Sequence, residues 1–208
     1  MVFLRPILES DRERILDILT SGSINKTYML PDFETLEDAQ PLFRRLMALS
    51  REPLRYVRAI ALEDGPVGFL NDTDIQGHSI ELGYVIHPDF QGRGYMTQAL
   101  ELAMDELFEM GYREVIAGAF SENTASIRVM EKCEMVRLDK TEQIQYRGSP
   151  HTCVYYSKKL IRFTCCFCGK AAEPQNAYAL SVTRVRDPGG REPGFALPPG
   201  LPGAKAER

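Results

Sequence analysis

The stretch Val85-Ile-His-Pro-Asp-Phe-Gln-Gly-Arg-Gly-Tyr-Met-Thr97 restricts the possible folds more than any other part of the chain. An apolar strand, Ile80 to Ile86, stops at a proline, passes through a glycine turn and opens into an amphipathic helix beginning near Met96. Gly92 and Gly94 admit backbone angles and close approaches that a side chain would block. Successive N–H groups in such a turn add to the free donors and positive dipole of the helix N-terminus. Together they make a concave anion site that needs no lysine. A ligand carrying phosphates is expected there.

The rest of the pattern supplies the frame. Val2 to Leu8 suits a short first strand. Ser10-Asp-Arg-Glu13 has capping-box spacing ahead of a helix with Ile15, Leu16 and Leu19 on one side. Gly22 to Phe33 reads as a loop, and Leu36 to Ser50 as a helix turning Leu42, Phe43, Leu46 and Met47 inward. Tyr56 to Leu62 and Val67 to Leu70 form a hairpin over Asp64-Gly65, and His78 to Ile86 is the next strand. Met96, Leu100, Ala103, Met104, Leu107 and Phe108 then recur at helical spacing until Gly111. Val115 to Ala119 is a strand and Thr124 to Cys133 a short helix. Met135 to Tyr146 and Thr152 to Ser157 close the series as a hairpin across Arg147-Gly148. This order predicts an α/β (α+β) fold, one mixed, mostly antiparallel central sheet flanked by helices.

A chain of 208 residues can bury one substantial core plus a small appendage. The formal net charge of -4 argues against a general binder of nucleic acid and is compatible with basic substrates. No run of about eighteen uncharged apolar residues is present, so no membrane span is expected. Met1-Val-Phe-Leu-Arg-Pro lacks the features of a signal peptide. The five cysteines therefore read as reduced thiols or metal ligands, and the cytoplasm is the expected location. Composition changes after Leu160. Cys165-Cys-Phe-Cys168 is half of a zinc knuckle with no second pair of ligands following, so unligated thiols are the better reading. Tyr178 to Val185 is strand-like, and from Arg184 to Arg208 ten of 25 residues are Pro or Gly, a composition typical of disorder. The expected division is a domain over 1–160 and an extension over 161–208, with zinc at Cys165/Cys168 a minor alternative shared across a homodimer.

Gly92-Arg-Gly94-Tyr-Met-Thr97 approaches the dinucleotide pattern G-x-G-x-x-G, but Thr97 stands where the third glycine belongs. No acidic residue follows a second strand, and no Gly-Lys-Ser/Thr is present for a Walker loop. Read from Gln91, the pattern is Gln91-x-x-Gly94-x-Met96. It is preceded by Glu81-Leu-Gly-Tyr-Val-Ile-His-Pro-Asp and followed by Asn123-x-x-Ser126-x-Arg-Val-Met-Glu-Lys. This combination resembles the GNAT superfamily of acetyl-CoA-dependent N-acetyltransferases, and within it the RimJ/RimL-like branch that acetylates N-terminal amines of ribosomal proteins. Element order carries the resemblance over Val2 to Leu160, most specifically from Glu81 to Lys132.

The resemblance implies that the coenzyme A pyrophosphate rests on main-chain N–H groups of Gln91, Gly92, Arg93, Gly94, Tyr95, Met96 and Thr97. Tyr84-Val85-Ile86 would splay from the neighbouring strand and bond the pantetheine arm, with Asn123 and Ser126 facing its thiol end. Three positions depart from the family pattern. Met96 replaces a small residue and would crowd the pyrophosphate, and Glu134-Met135 replaces Gly-Phe. Gln145 and a displaced Glu142 stand near the position where some relatives carry a base.

Attack of an amine on a thioester needs a neutral amine, a polarised carbonyl and a proton for the leaving thiolate. Strand alternation puts Glu81, Gly83 and Val85 on one face and Ile80, Leu82, Tyr84 and Ile86 on the other. Glu81, in an apolar strand beside a glycine that leaves space, is the candidate base acting through water, with its pKa raised; a strand carboxylate paired with arginine is the alternative. Ser126 is the candidate acid, or else a first-turn serine satisfying a helix N–H, and Asn123 has the same alternative as an N-cap. Cys133 and Cys153 sit in apolar runs as core residues. His87 is expected in solvent, and Tyr28, Phe33 and Tyr146 are candidates for the acceptor wall. The expected activity is acetyl transfer in a ternary complex from acetyl-CoA to a primary amine, on a protein N-terminus or a small molecule. The rival reading is a regulatory protein that binds acyl-CoA without turnover.

Overall fold

Residues 1–31, 33–160, 163–164 and 171–172 are described by the structure, a computed structural model. Seven strands form one sheet in the order β1-β2-β3-β4-β5-β7-β6. They are β1 (Phe3–Arg5), β2 (Val57–Leu62), β3 (Gly65–Gln76), β4 (Ser79–Ile86), β5 (Glu114–Phe120), β6 (Val136–Tyr146) and β7 (Ser149–Lys159). Four helices flank the sheet: α1 (Arg12–Thr20), α2 (Leu36–Leu49), α3 (Tyr95–Glu109) and α4 (Thr124–Lys132). Every neighbouring pair is antiparallel except β4 and β5. The sheet is therefore mixed and mostly antiparallel, as the element order predicts. The chain divides after Leu160. Beyond it, β8 (Phe163–Thr164) pairs antiparallel with β9 (Ala171–Ala172). Cys165, Cys168 and the segment from Tyr178 onward lie outside the described residues.

The two sheet faces hold separate apolar layers. Ile80, Leu82 and Ile86 of β4 join Ala99, Leu100, Ala103 and Leu107 of α3 on one side. Val85 joins Phe69 of β3, Ile15 and Leu19 of α1, and Phe43 and Leu46 of α2 on the other. The period-two alternation of β4 and the helical period of α3 thus act as expected, each apolar set burying itself against the other element. No helix among the described residues is long and apolar enough to cross a membrane.

Two local expectations are corrected. The helix start near Ser10 is organised by Asp11 rather than a Ser10–Glu13 box. Arg5 donates to both Asp11 oxygens at 2.6 and 2.8 Å, and the Leu8 N–H donates to the same carboxylate at 2.8 Å. This buried carboxylate closes a 3-10 turn over Glu9–Asp11 that runs straight into α1, which has no side-chain cap of its own. Helix α2 carries the box instead: the Asp38 N–H donates to Thr35 Oγ1 at 3.2 Å, and the Thr35 N–H donates to Asp38 at 3.0 Å.

The largest difference is the length of β3, which runs through the polar segment Asn71-Asp-Thr-Asp to Gln76. Asp72, 5% exposed, explains this. Its carboxylate accepts from Arg55 Nε at 2.6 Å and from the Tyr56 N–H at 2.8 Å, while its own N–H donates to the Tyr56 carbonyl. The register shifts between Asp72 and Asp74, a bulge that leaves Thr73 without a partner opposite it on β4. Strand propensity alone disfavours such a run; the buried ion pair and continued pairing with β4 override it. Asp72→Ala is expected to lower unfolding free energy by about 2–3 kcal/mol, because it strands a buried N–H and unpairs an arginine. Exposed Asp74→Ala should stay within about 0.5 kcal/mol. Urea titration of both variants distinguishes the two sites.

Candidate active site

Strands β4 and β5 stay paired only from Ser79↔Glu114 to Leu82↔Ala117. Beyond that point β4 follows β3 as far as Ile86, and β5 follows β7 as far as Phe120. The two strands splay, leaving the β5-facing edge of β4 from Gly83 onward without a strand partner. A cavity of about 540 Å³ fills this wedge and brings together Tyr84, Val85, Ile86, Gln91, Gly92, Gly94, Tyr95, Met96, Thr97, Asn123 and Ser126.

The turn at the cavity's end is built by its own side chains. His87 Nδ1 accepts from the Asp89 N–H at 3.2 Å, capping a 3-10 turn over Pro88–Phe90, and its Nε2 bonds Asp17 of α1 at 2.8 Å. His87 is thus a structural cap rather than a solvent-facing residue, held at 13% side-chain exposure. Gln91 Nε2 donates to the Ile86 carbonyl at 3.2 Å, tying the turn to the end of β4. The Gln91 N–H is spent on the Pro88 carbonyl at 3.2 Å, so it is removed from the anion site expected from sequence. The main-chain N–H groups from Gly92 to Thr97 have no acceptor among the described residues. Gly94 sits at φ 78° as the N-cap of α3 and Gly92 at φ 72°, which aims consecutive donors inward. Arg93 turns away, donating to the Asp89 carbonyl at 2.8 Å and covering the Phe90 ring. Met96, 9% exposed, packs in the α3 layer and also lines the cavity.

On the α4 side of the wedge, Asn123 Oδ1 accepts from the Ser126 N–H at 3.1 Å, the capping role weighed for it above. The Ser126 hydroxyl is paired with the Tyr84 hydroxyl at 2.7 Å. Burial pushes the Tyr84 phenol well above its ordinary value, opposed by the bond to Ser126. Tyr84 therefore keeps its proton, and when it donates to Ser126 the serine hydrogen is free to point into the cavity. The sequence reading used only the Tyr84 backbone. The placement of Tyr84 on the Leu82–Ile86 face was the available signal, but α4 had to be docked before a partner could be named.

A second cavity of about 290 Å³ adjoins the first and contains Glu81. Both cavities are lined by Thr27, Tyr28, Gly83, Gly118 and Ala119, so these residues form the boundary. Glu81 is half-buried and accepts from Thr73 Oγ1 at 3.1 Å. Burial raises its pKa most; the Thr73 bond and Lys140 oppose this, while Asp74 and Glu142 add to it. No arginine pairs with it among the described residues. The space beside Gly83 is not empty, however. A Cβ there would lie 3.0 Å from the Tyr28 hydroxyl, so the glycine admits the Tyr28 ring. Tyr28 donates to Asn71 Oδ1 and meets Phe69 edge-on at 6.1 Å.

The other candidates fall elsewhere. Glu142 is exposed and engaged by Tyr155 at 2.7 Å and Lys140 at 2.9 Å, which hold its carboxyl below the usual range. Tyr146 lines neither cavity; its hydroxyl donates to the Asn25 carbonyl at 2.8 Å and fastens the loop before α2 to the β6–β7 hairpin. His151 stacks on Phe120 at 4.5 Å between ring centres and bonds Glu122. Cys133 and Cys153 are buried free thiols, as expected, and burial pushes the Cys133 thiol up to about 12. Neither thiol suits an acyl intermediate. The described residues include no group of three or more His, Cys, Asp or Glu able to hold a metal.

Comparison with known proteins matches this geometry. Residues 2–136 match the family model described as Acetyltransferase (GNAT) domain. The uncharacterized N-acetyltransferase YoaA of Bacillus subtilis is 26% identical over 164 residues, spanning 75% of this chain and 92% of that protein. A GNAT-family acetyltransferase crystal structure from Bacillus anthracis superposes with a TM-score of 0.67 at 25% identity, covering 76% of this chain and 94% of the other. A structure from Salmonella typhimurium, described as modifying the N-terminal serine of ribosomal protein L7/L12, gives 0.67 at 18% identity over 77% and 95% of the two chains.

Because nothing lies within 4 Å of a Cβ built on Gly94, substitution there meets backbone strain without a clash. Gly94→Ala is expected to cost about 1–2 kcal/mol of stability from the left-handed conformation, and Gly94→Asn less. Chemical denaturation of the pair checks the turn geometry directly.

Proposed function

The chain belongs to the GNAT acetyltransferase family and is an acetyl-CoA-dependent N-acetyltransferase; on that premise we propose that it moves acetyl directly to the primary amine of a protein N-terminus or of a small molecule, within a ternary complex. One observation carries this reading: a ladder of free main-chain donors and a half-buried carboxylate stand at opposite ends of two adjoining cavities. The Gly92–Thr97 amides and the α3 dipole hold the pyrophosphate of the acyl carrier. Its pantetheine arm adds as a strand to the open edge of Tyr84–Ile86, which delivers the thioester to the boundary at Tyr28 and Gly83.

Glu81, directly or through a water, removes a proton from the incoming ammonium. The freed amine attacks the acetyl carbonyl, whose developing negative charge is met by a main-chain N–H of the open β4 edge. Collapse of the tetrahedral adduct breaks the carbon–sulfur bond; the departing thiolate takes the Ser126 hydroxyl proton, and the proton that the attacking nitrogen sheds as the amide forms restores it. Tyr84 orients that proton without losing its own. Asn123 holds the first turn of α4 so that Ser126 faces the cavity. The Salmonella typhimurium structure shares this fold, which supports placing the chain in the RimJ/RimL-like branch. A regulatory binder would need the same wedge but no base, and the position of Glu81 favours turnover.

Acetyl-CoA at one hundred times its dissociation constant is expected to add about 2.7 kcal/mol of stability, seen as a rise in Tm, while NAD adds none. No rise with acetyl-CoA would end the proposal. Glu81→Gln should keep that rise yet lose roughly 100-fold or more in kcat. Since a base must be deprotonated and burial raises this carboxyl, the acidic limb of wild-type kcat/KM should lie above the ordinary carboxylate range and vanish in the variant. Tyr84→Phe should lower kcat with little change in the KM for acetyl-CoA, measured by thiol release.

A further inference from the structure

The second cavity has a composition that selects among amines. Leu30, Leu46, Phe69 and Tyr155 wall it, each under 9% exposed, and Leu42 and Met29 complete it from α2 and the preceding loop. Glu81 is the one charged side chain among the described residues that line it. The polar side chains present are already engaged with each other or with the main chain. Asn71 accepts from Tyr28 and donates to the Asp72 carbonyl at 3.1 Å, and Thr73 donates to Glu81.

The other carboxylates that act on Glu81, Asp74 and Glu142, do not line the cavity. Glu142 is occupied by Lys140 and Tyr155. The Lys140 ammonium itself stands 4.0 Å over the Tyr155 ring, on the wall an entering chain would follow. Asp74 accepts from Gln76 Nε2 at 2.7 Å. An acceptor with a second ammonium would have to desolvate it against leucine, phenylalanine and tyrosine, or beside a lysine, at a cost of several kcal/mol that no second carboxylate among the described lining residues offsets. An acceptor with an acidic or phosphate substituent would meet Glu81 and no cation among those residues.

Resting on the acetyltransferase reading above, we propose that the acceptor is a monoamine, one ammonium on an uncharged apolar body, which seats that body between α2 and β3 and presents the nitrogen to Glu81. Polyamines and amines with charged substituents are poor acceptors. Two sources share this chemistry: the α-amine of a peptide whose first side chain is apolar, and a free aralkyl monoamine. The α-amine, with a pKa near 8 against about 10.4 for an alkyl ammonium, is the easier one for a single carboxylate to deprotonate.

The test is thiol release from acetyl-CoA by the full chain with a matched set of acceptors. Peptides identical except for a first residue of Leu, Phe, Ser, Lys or Asp are compared with phenethylamine and spermidine. Leu and Phe peptides, or phenethylamine, should exceed the Ser peptide by about tenfold or more in kcat/KM. Spermidine and the Lys and Asp peptides should fall lower still. The peptide and phenethylamine arms separate the two sources. Equal rates for Leu and Ser, or a preference for spermidine, overturns the proposal. Leu42→Glu, a change on the half-buried face of α2, places a second carboxylate in the wall and should raise the spermidine-to-Leu-peptide ratio about tenfold; an unchanged ratio also overturns it. Stabilisation by acetyl-CoA is read separately. If it occurs while apolar amines are inactive, this inference alone fails; if it is absent, the acetyltransferase reading fails with it.

Discussion

Four parallel residue pairs, Ser79–Leu82 against Glu114–Ala117, are all that hold the two halves of the sheet together at its centre. Had the ladder run on to Ile86, every backbone donor and acceptor of β4 would be consumed and no wedge would exist. Because it stops, β4 carries one satisfied edge toward β3 and one unsatisfied edge toward β5, and each half-sheet is still braced by its own antiparallel partner. An open edge is normally a liability in a soluble protein. Here helices α3 and α4 stand over it and turn it into the wall of a cavity, where an extended molecule can complete the pairing.

The parts of this arrangement visible in the sequence are those with short-range signatures. The strand–proline–glycine–helix signal from Ile80 to Thr97 needed only local chemistry, and so did the Asn123 cap and the apolar stripe of α3. Fold class and element order followed. Three features were less legible because each depends on a distant partner. The polar stretch Asn71 to Gln76 becomes strand only because Arg55 and Tyr56 bury Asp72. Tyr84 gains a role only when α4 brings Ser126 to it. The Gly83 gap is filled from a loop more than fifty residues upstream by Tyr28, which the sequence marks only as a candidate wall residue and not as a partner of Gly83. Even within the turn, the loss of the Gln91 N–H to Pro88 depends on a 3-10 turn capped by His87, a geometry that spacing alone does not reveal.

Carboxylates in this protein divide by environment rather than by number. Asp11 and Asp72 are buried and clamped by arginine and main-chain donors, so they serve the fold. Glu142, Glu122 and Glu134 are exposed and paired with Lys140, His151 and Lys158, which favours their charged forms. Among the described carboxylates, Glu81 alone combines partial burial, one neutral hydrogen-bond donor and a place in a cavity. That difference, not its position in a motif, separates it from the other acids.

Tyr28 lines both chambers, and its ring edge lies against Gly83. Its loop is fastened by Tyr146 to the far hairpin and its hydroxyl by Asn71 to β3. A shift of that single aromatic plane would enlarge one chamber at the expense of the other. With the proposed roles of the two chambers, acceptor choice and carrier seating are mechanically linked, so a lineage that reshapes the loop for a new amine must also renegotiate how it grips its acyl donor.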